Sequence, residues 1–315
     1  MDHRPQPETG PAAADLRRRL PRPAFDDAAR LVALALAAAM AFAAAAAAAA
    51  PLAAQPASST SPAAAAAAAG PTQYALIVNG DDSFTHNYNV SLALASLRQL
   101  GYAPQNTLIL APASVVSPAV SGEPAAWRRP ATEQGLRQAL ALLRERLRPG
   151  DLLLVYLTGH GYRMFGRTSL GLQDGSITAR ELMQKLGEIA FGKLILIADQ
   201  CYSGGFVNAA VALGRDVVAV SSTDDRHEVR CEPFIRPLWL AAVEAASDTR
   251  RNGFVSIEEA FQVAVDGLRQ AGGGSDGGAP QIATSGSCAG RENRFAAAPP
   301  GEHAGQQAVQ ALLLP

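Results

Sequence analysis

The chain has few of the residues that mark metal or nucleic-acid binding. Of its 315 residues only three are cysteine and five are histidine. No Cys-x-x-Cys pair or histidine cluster occurs, so the sequence predicts no metal site and no cofactor. The formal net charge is −1 and the body of the chain contains no Lys/Arg block, which argues against nucleic acid as a partner.

The N-terminal segment has the organisation of an export signal. Arginines between positions 17 and 30 precede an apolar run at 31–50, and small residues follow it. This pattern predicts a secretory signal over 1–54, cleaved after Ala54, and hence a periplasmic or secreted protein. The same run is long enough to serve instead as an uncleaved membrane anchor. A low-complexity linker follows at 55–73.

Residues 74–295 are predicted to form one α/β domain, and 296–315 a C-terminal tail without an assigned role. Apolar runs alternate with helical patterns, which favours a mostly parallel central sheet with helices on both faces. The predicted strands are 74–79, 106–111, 151–157, 193–198, 217–222 and 281–284. The predicted helices are 89–100, 132–147, 176–186 and 256–270, and a long loop is predicted at 112–130.

Two short motifs each follow an apolar strand. Thr158-Gly-His-Gly161 closes the strand at 151–157, and Asp199-Gln-Cys-Tyr-Ser-Gly-Gly205 closes the strand at 193–198. Neither strand alternates polar with apolar residues, which is typical of strands buried on both faces of a parallel sheet. Because the two strands are predicted to be parallel, His160 and Cys201 should arrive at the same sheet edge.

This pairing suits nucleophilic catalysis. A thiol is largely protonated at neutral pH, and the thiolate is the attacking species, so a cysteine nucleophile needs a nearby base. His160 is the candidate base, and the N–H groups of Gly161 and Cys201 are candidate donors to an oxyanion. The alternative is that both side chains are structural, as most single His and Cys residues are.

The two motifs resemble those of the clan of legumain-like, caspase-like and metacaspase-like cysteine peptidases, which share the caspase–hemoglobinase fold. The Cys-x-Ser-Gly continuation is similar to that of legumain-like and metacaspase-like members, and the resemblance extends from about Tyr74 to about Thr284. It implies a His-Cys dyad without an obligatory third member, cleavage of peptide bonds, and specificity for the residue that precedes the scissile bond.

The resemblance also suggests a specificity pocket. In these families the loop after the first strand commonly supplies an arginine, where this chain has Asn87 or Tyr88. Asp199 matches an acidic pocket position, and Ser221 and Ser222 match the strand that lines the pocket. A carboxylate with no cation beside it favours a cationic substrate, so cleavage after Arg or Lys is predicted, with Asn as the competing preference. Asp199 could instead be a structural acid.

Two further features concern disulfides and calcium. Export would allow Cys231 and Cys288 to pair, and two unpaired thiols are the alternative. Residues 248–259 follow a calcium-loop template in part, but Arg250 occupies a ligand position, so no tight site is expected. Ser256 and Glu259 are better explained as a capping box that opens the last helix.

Three functional classes follow from this sequence. The first is a cysteine endopeptidase acting on protein or peptide substrates, and the second is a transpeptidase or transamidase that uses the same dyad. The third is a non-catalytic caspase-like scaffold or binding domain. The sequence contains no signal for oligomeric state.

Overall fold

The computed structural model describes residues 71–112, 128–229, 234–270 and 278–296. The predicted signal segment, the linker up to position 70, Cys231 and all but the first residue of the predicted tail lie outside these ranges. Within the described ranges, no helix combines the length and the apolar character that a membrane crossing requires.

A seven-stranded sheet forms the centre of the domain, in the order β10-β9-β8-β4-β1-β2-β3. All neighbouring strands are parallel except β9 and β10, which are antiparallel. The strands are β1 (Gln73–Asn79), β2 (Thr107–Leu110), β3 (Arg128–Arg129), β4 (Leu152–Thr158), β8 (Lys193–Ala198), β9 (Val217–Ser221) and β10 (Gln281–Ser285). Strands β5 (Gly161–Met164), β6 (Arg167–Leu172) and β7 (Gly175–Thr178) form a separate antiparallel sheet.

Six α-helices cover both faces of the central sheet in the described ranges. They are α1 (Phe84–Gln99), α2 (Glu133–Arg146), α3 (Ala179–Gly187), α4 (Gly204–Val211), α5 (Ile235–Ala241) and α6 (Ile257–Gln270). Helices α1, α5 and α6 pack on one face, where residues such as Ile77 and Ile197 point. Helices α2, α3 and α4 pack on the other, against residues such as Leu76 and Leu196. The predicted α/β class with a mostly parallel sheet is therefore confirmed.

The predicted strands and helices are largely present, with differences at their ends. Helix α1 begins at Phe84 and not at Asn89. Its first five residues, 84–88, are exposed or only partly buried, so they lack the buried apolar side chains from which the helix was predicted. Ser176 and Ile177 belong to strand β7, and the following helix begins only at Ala179. The capping box of Thr178 and Glu181 that was predicted for that helix is formed.

The small sheet was not predicted from the sequence. Strands β5 and β6 are joined by a two-residue turn at Phe165 and Gly166, whose φ angles are 48° and 73°. Both central residues of such a hairpin turn adopt positive φ, which an Asn-Gly or Asp-Gly pair usually signals. Phe165 carries no such signal, since positive φ is unusual for a bulky side chain.

Helix α6 begins with the predicted capping box. The Ser256 N–H donates to Glu259 Oε2 (3.0 Å), and the Glu259 N–H donates to Ser256 Oγ (3.1 Å). Glu259 Oε1 also accepts from the Thr249 hydroxyl (2.7 Å) and the Arg250 N–H (2.9 Å). The acids of the calcium-like loop are thus used by the loop itself. Burial raises the pKa of the Glu259 carboxyl, but these hydrogen bonds outweigh it and lower the pKa to about 2.

Glu259→Gln should lower the free energy of unfolding by about 1–2 kcal/mol at pH 7, the usual scale for loss of a helix cap. The folded-state pKa lies below the ordinary value of 4.5, so this stabilisation is complete above pH 4.5. It is lost as the pH falls towards about 2. Urea unfolding of both proteins between pH 7 and pH 3 measures the difference.

Glu244→Gln is the matched control, because Glu244 is exposed and should tolerate the change within about 0.5 kcal/mol. A Glu259→Gln effect that stays constant across this pH range would contradict the assignment of the carboxylate as the stabilising group.

Candidate active site

The carboxyl ends of three neighbouring strands meet at one edge of the central sheet. In the β1–β4 pair Asn79 lies opposite Thr158, and in the β4–β8 pair Leu157 lies opposite Ala198. The two motifs follow these ends directly, so parallel pairing brings His160 and Cys201 to the same edge as expected. A cavity of about 530 Å³ opens there, lined by Thr85, His86, Gly159, His160, Asp199, Cys201, Val229 and Arg236.

His160 stands at the mouth of this cavity. Gly159, with φ of 119°, turns the chain out of β4 in a conformation that favours glycine. The His160 side chain is 67% exposed, and its Nε2 lies 3.3 Å from Asp81 Oδ2. Its Nδ1 has no hydrogen-bond partner in the described part of the chain. One ring nitrogen is therefore held by a carboxylate while the other is available for proton transfer.

Asp81 is a site residue that the sequence analysis missed. Its own N–H donates to Asn79 Oδ1 (3.0 Å), and the Ser83 N–H donates to its Oδ1 (3.0 Å), which fixes the carboxylate after β1. Burial raises the pKa of this carboxyl, but the Ser83 hydrogen bond and the charges of His160 and His86 outweigh it and lower the pKa. The signal was available, because β1 ends at the same sheet edge as β4.

His86 contacts the same carboxylate oxygen as His160. Its Nε2 is 3.6 Å from Asp81 Oδ2, and its Nδ1 is 2.8 Å from Thr158 Oγ1. The Thr158 hydroxyl donates its one proton to Asp199, so Nδ1 is the donor in the contact with Thr158. Asp81 thus sits between two imidazoles, of which only that of His160 is strongly exposed.

Cys201 lies in a tight turn after β8. The next residue, Tyr202, has a φ of 60°, which residues other than glycine adopt only at an energetic cost. Gly161 packs directly on this turn, since a Cβ at Gly161 would lie 2.0 Å from the Cys201 carbonyl oxygen. Burial raises the pKa of the Cys201 thiol. Hydrogen bonding to the Val229 backbone lowers this pKa and the charge of Glu228 raises it, and the net result is a raised pKa. The group is thus a thiol at neutral pH and needs a base to react.

The segment 222–229 fastens this turn from the other side. The Tyr202 N–H donates to the His227 carbonyl (2.9 Å), and the Tyr202 hydroxyl donates to Glu228 Oε1 (3.0 Å). Asp224 is used within the segment, because its Oδ1 accepts from the backbone N–H groups of Arg226 and His227. This segment therefore positions the turn that contains Cys201.

Asp199 is buried and hydrogen-bonded from several elements. The residue is 1% exposed. Its Oδ1 accepts from Ser222 Oγ (2.9 Å), and its Oδ2 accepts from Asn89 Nδ2 (3.2 Å), Tyr156 OH (3.1 Å) and Thr158 Oγ1 (3.1 Å). A carboxylate with this many donors is stabilised as the anion without any substrate cation. The geometry therefore favours the structural alternative for Asp199.

The cavity contains an arginine, whereas the sequence predicted a carboxylate with no cation beside it. Arg236, from helix α5, lines the same cavity as Asp199. Its Nε donates to Asn89 Oδ1 (3.0 Å), and the amide of Asn89 in turn donates to Asp199, so one asparagine links the guanidinium to the carboxylate. The guanidinium also lies over the Tyr88 ring, 4.7 Å from its centroid. Arg236 is about 150 residues from the loop expected to carry such a residue, and no local pattern marks it.

The other predicted pocket residues have structural partners or lie in the sheet. The Asn87 side chain joins Asn79 (2.9 Å) to the Asp82 carbonyl (2.9 Å), and the cavity is lined instead by its neighbours Thr85 and His86. Ser222 binds Asp199. Ser221 is fully buried in β9, and its hydroxyl has no hydrogen-bond partner among the residues described. Cys288 is a buried free thiol, and its suggested partner lies outside the described residues.

No protein-family model matches this chain, and a comparison with curated proteins found no significant relative.

Asp199→Asn should destabilise the fold by about 2–4 kcal/mol, because an amide nitrogen then faces donors that are buried. Chemical denaturation at pH 7 measures this directly. Asp225→Asn is the matched control, since among the described residues Asp225 forms an exposed 3.8 Å ion pair with Arg226, which should contribute less than about 1 kcal/mol. Equal stability of the Asp199→Asn protein and the wild type would show that the carboxylate is not structural.

Proposed function

We propose that this chain is a cysteine endopeptidase of the caspase–hemoglobinase type, with His160 and Cys201 as its catalytic residues. The observation that carries the proposal is their position on the wall of one cavity, with Asp81 3.3 Å behind the imidazole. A thiol, a base and a group that orients the base are the components of nucleophilic acyl transfer.

The first half of the reaction forms a thioester. Nδ1 of His160 takes the proton from the Cys201 thiol as the sulfur attacks the carbonyl carbon of the scissile amide. The resulting oxyanion is positioned for the N–H groups of Gly161 and Cys201, which lie side by side because Gly161 has no side chain. The imidazolium, stabilised by Asp81, then gives its proton to the leaving nitrogen as the C–N bond breaks.

The second half releases the acyl group. His160 takes a proton from the incoming nucleophile, whose oxygen or nitrogen attacks the thioester carbon, and Cys201 leaves as the thiol after reprotonation. Water as the nucleophile gives hydrolysis, and an amine gives transpeptidation on the same residues. The cavity is open to solvent at His160, which is 67% exposed, and this favours hydrolysis.

Cys201→Ala should abolish turnover, and His160→Ala should lower kcat by at least about a hundredfold, the usual scale for loss of a general base. Asp81→Asn should lower kcat about tenfold or more, because the amide no longer stabilises the imidazolium. Assays with a peptide library and mass spectrometry of the products measure both turnover and the cleaved bond.

Asp82→Asn is the matched control for Asp81→Asn, because Asp82 is exposed next to it and should leave kcat near the wild-type value. Activity retained in Cys201→Ala would refute the proposal. A wild-type protein that cleaves nothing and resists active-site-directed alkylation at Cys201 would favour the scaffold alternative.

The cavity supports a particular order of substrate preference. Asp199 is already hydrogen-bonded, and Arg236 places a cation on the same wall, so the unpaired carboxylate that an Arg or Lys side chain requires is missing. A neutral amide requires no unpaired carboxylate and is not repelled by the Arg236 cation. The structure therefore supports Asn before the scissile bond, the competing preference, over the Arg or Lys expected from sequence.

Three peptides that differ only in Asn, Arg or Asp before the scissile bond should show the highest kcat/KM for Asn. Arg236→Gln should raise the ratio of the Arg to the Asn peptide at least about tenfold, because removal of a cation removes its repulsion. Arg98→Gln is the control, since it removes an arginine from the far end of helix α1. A wild-type preference for Arg would show that Asp199 determines specificity after all.

The N-terminal sequence supports export of this peptidase to the periplasm or the exterior, with a membrane anchor as the alternative. Residues 17–54 alone carry that part of the proposal.

A further inference from the structure

Strand β5 is an edge strand that begins at the residue after His160. In the small sheet its only neighbour within the described ranges is β6, since the order is β5-β6-β7. Its last three residues, 162–164, are exposed. An exposed edge presents unpaired backbone N–H and C=O groups, which can bind an additional extended chain.

The register shows which backbone groups face the open side. The Gly171 N–H donates to the His160 carbonyl (2.8 Å), and Tyr162 lies opposite Ser169 in the ladder. Successive residues of an antiparallel strand point their backbone groups alternately towards and away from the partner. His160, Tyr162 and Met164 therefore face β6, and Gly161 and Arg163 face outwards.

The outward-facing backbone groups of β5 begin next to the reacting atoms. His160 must reach the leaving nitrogen to protonate it, so the substrate segment after the scissile bond departs on the His160 side, where β5 starts. If the Gly161 N–H binds the carbonyl of the scissile bond, a chain continuing along β5 runs parallel to it. In a parallel pair the Gly161 carbonyl and the Arg163 N–H then both bind the second residue after the scissile bond.

The side chains of the hairpin suit a peptide that is apolar and acidic. Tyr162 is 46% exposed, Met164 64% and Phe165 98%, so the hairpin presents a row of uncovered apolar side chains. Arg163 and Arg167 are also exposed, and neither forms a salt bridge in the part of the chain that the structure describes. This combination favours acidic and apolar residues in the bound segment over basic ones.

We propose that β5 binds the polypeptide segment downstream of the scissile bond as an added parallel strand, through the outward backbone groups of Gly161 and Arg163. This inference rests on the proposed peptidase function. It extends that function to substrates that are extended chains with at least two residues after the cleaved bond, preferably acidic or apolar.

Arg163→Pro tests the backbone contact. It removes only an outward N–H, a position where an edge strand accepts proline, and thus keeps the hairpin hydrogen bonds. The substrates share one sequence before the scissile bond and carry either a fluorogenic amide, one residue, or four residues after it. Arg163→Pro should lower kcat/KM for the four-residue peptide, relative to the one-residue peptide, about three- to tenfold, the scale of one hydrogen bond.

Arg163→Ala is the matched control, because it removes the guanidinium but keeps the N–H. It should preserve that ratio for neutral segments and lower it for acidic ones. Thermal unfolding of both variants verifies that the hairpin and the domain remain folded.

The outcomes separate the two proposals. Cleavage of the fluorogenic amide by the wild type tests the peptidase function alone. If the wild type cleaves none of the substrates, both proposals are overturned. With active enzyme, an unchanged ratio in Arg163→Pro overturns the β5 inference and leaves the peptidase proposal standing. Sedimentation could also show a concentration-dependent dimer that Arg163→Pro dissociates. A second copy of the chain would then occupy this edge, and the β5 inference would be overturned.

Discussion

The buried carboxylate of Asp199 is the constraint on which the site depends. It accepts hydrogen bonds from helix α1 through Asn89, from strand β4 through Tyr156 and Thr158, and from the end of β9 through Ser222. A buried charge is tolerated only when such donors converge on it, so these elements must meet at one point for the fold to be stable. Asp199 precedes Cys201 by two residues, and this convergence therefore positions Cys201.

A chain of polar contacts extends from Asp199 to the candidate base. Thr158 donates to Asp199 and accepts from His86, His86 faces Asp81, and Asp81 contacts His160. On the other side, Asn89 links Asp199 to Arg236. Charged and neutral polar groups thus form one partly buried network. Such networks hold side chains in one arrangement because each member satisfies its neighbours, and a single substitution leaves several groups unpaired.

The parts of the fold that could be predicted are those with a local signal. The apolar runs that became β1, β4, β8 and β9 are buried on both faces, and runs of this kind are typical of parallel strands. The capping boxes at Thr178 and Ser256 were likewise readable from residues three apart. The small sheet was missed because its turn uses Phe165 at positive φ. The start of α1 was missed because its first five residues, 84–88, are exposed or only partly buried and carry no buried apolar stripe.

For the site, local sequence patterns identify the reactive side chains and indicate that His160 and Cys201 each follow a buried strand. Parallel pairing then requires that they share an edge, so their meeting followed from local patterns. The residues that surround them come from distant parts of the chain. Arg236 reaches the cavity from a helix distant in sequence, and Asp199 receives donors 23, 41, 43 and 110 residues away, contacts that no local pattern encodes. The charge of a cavity is the sum of such distant groups, so it cannot be read from the motif residues alone.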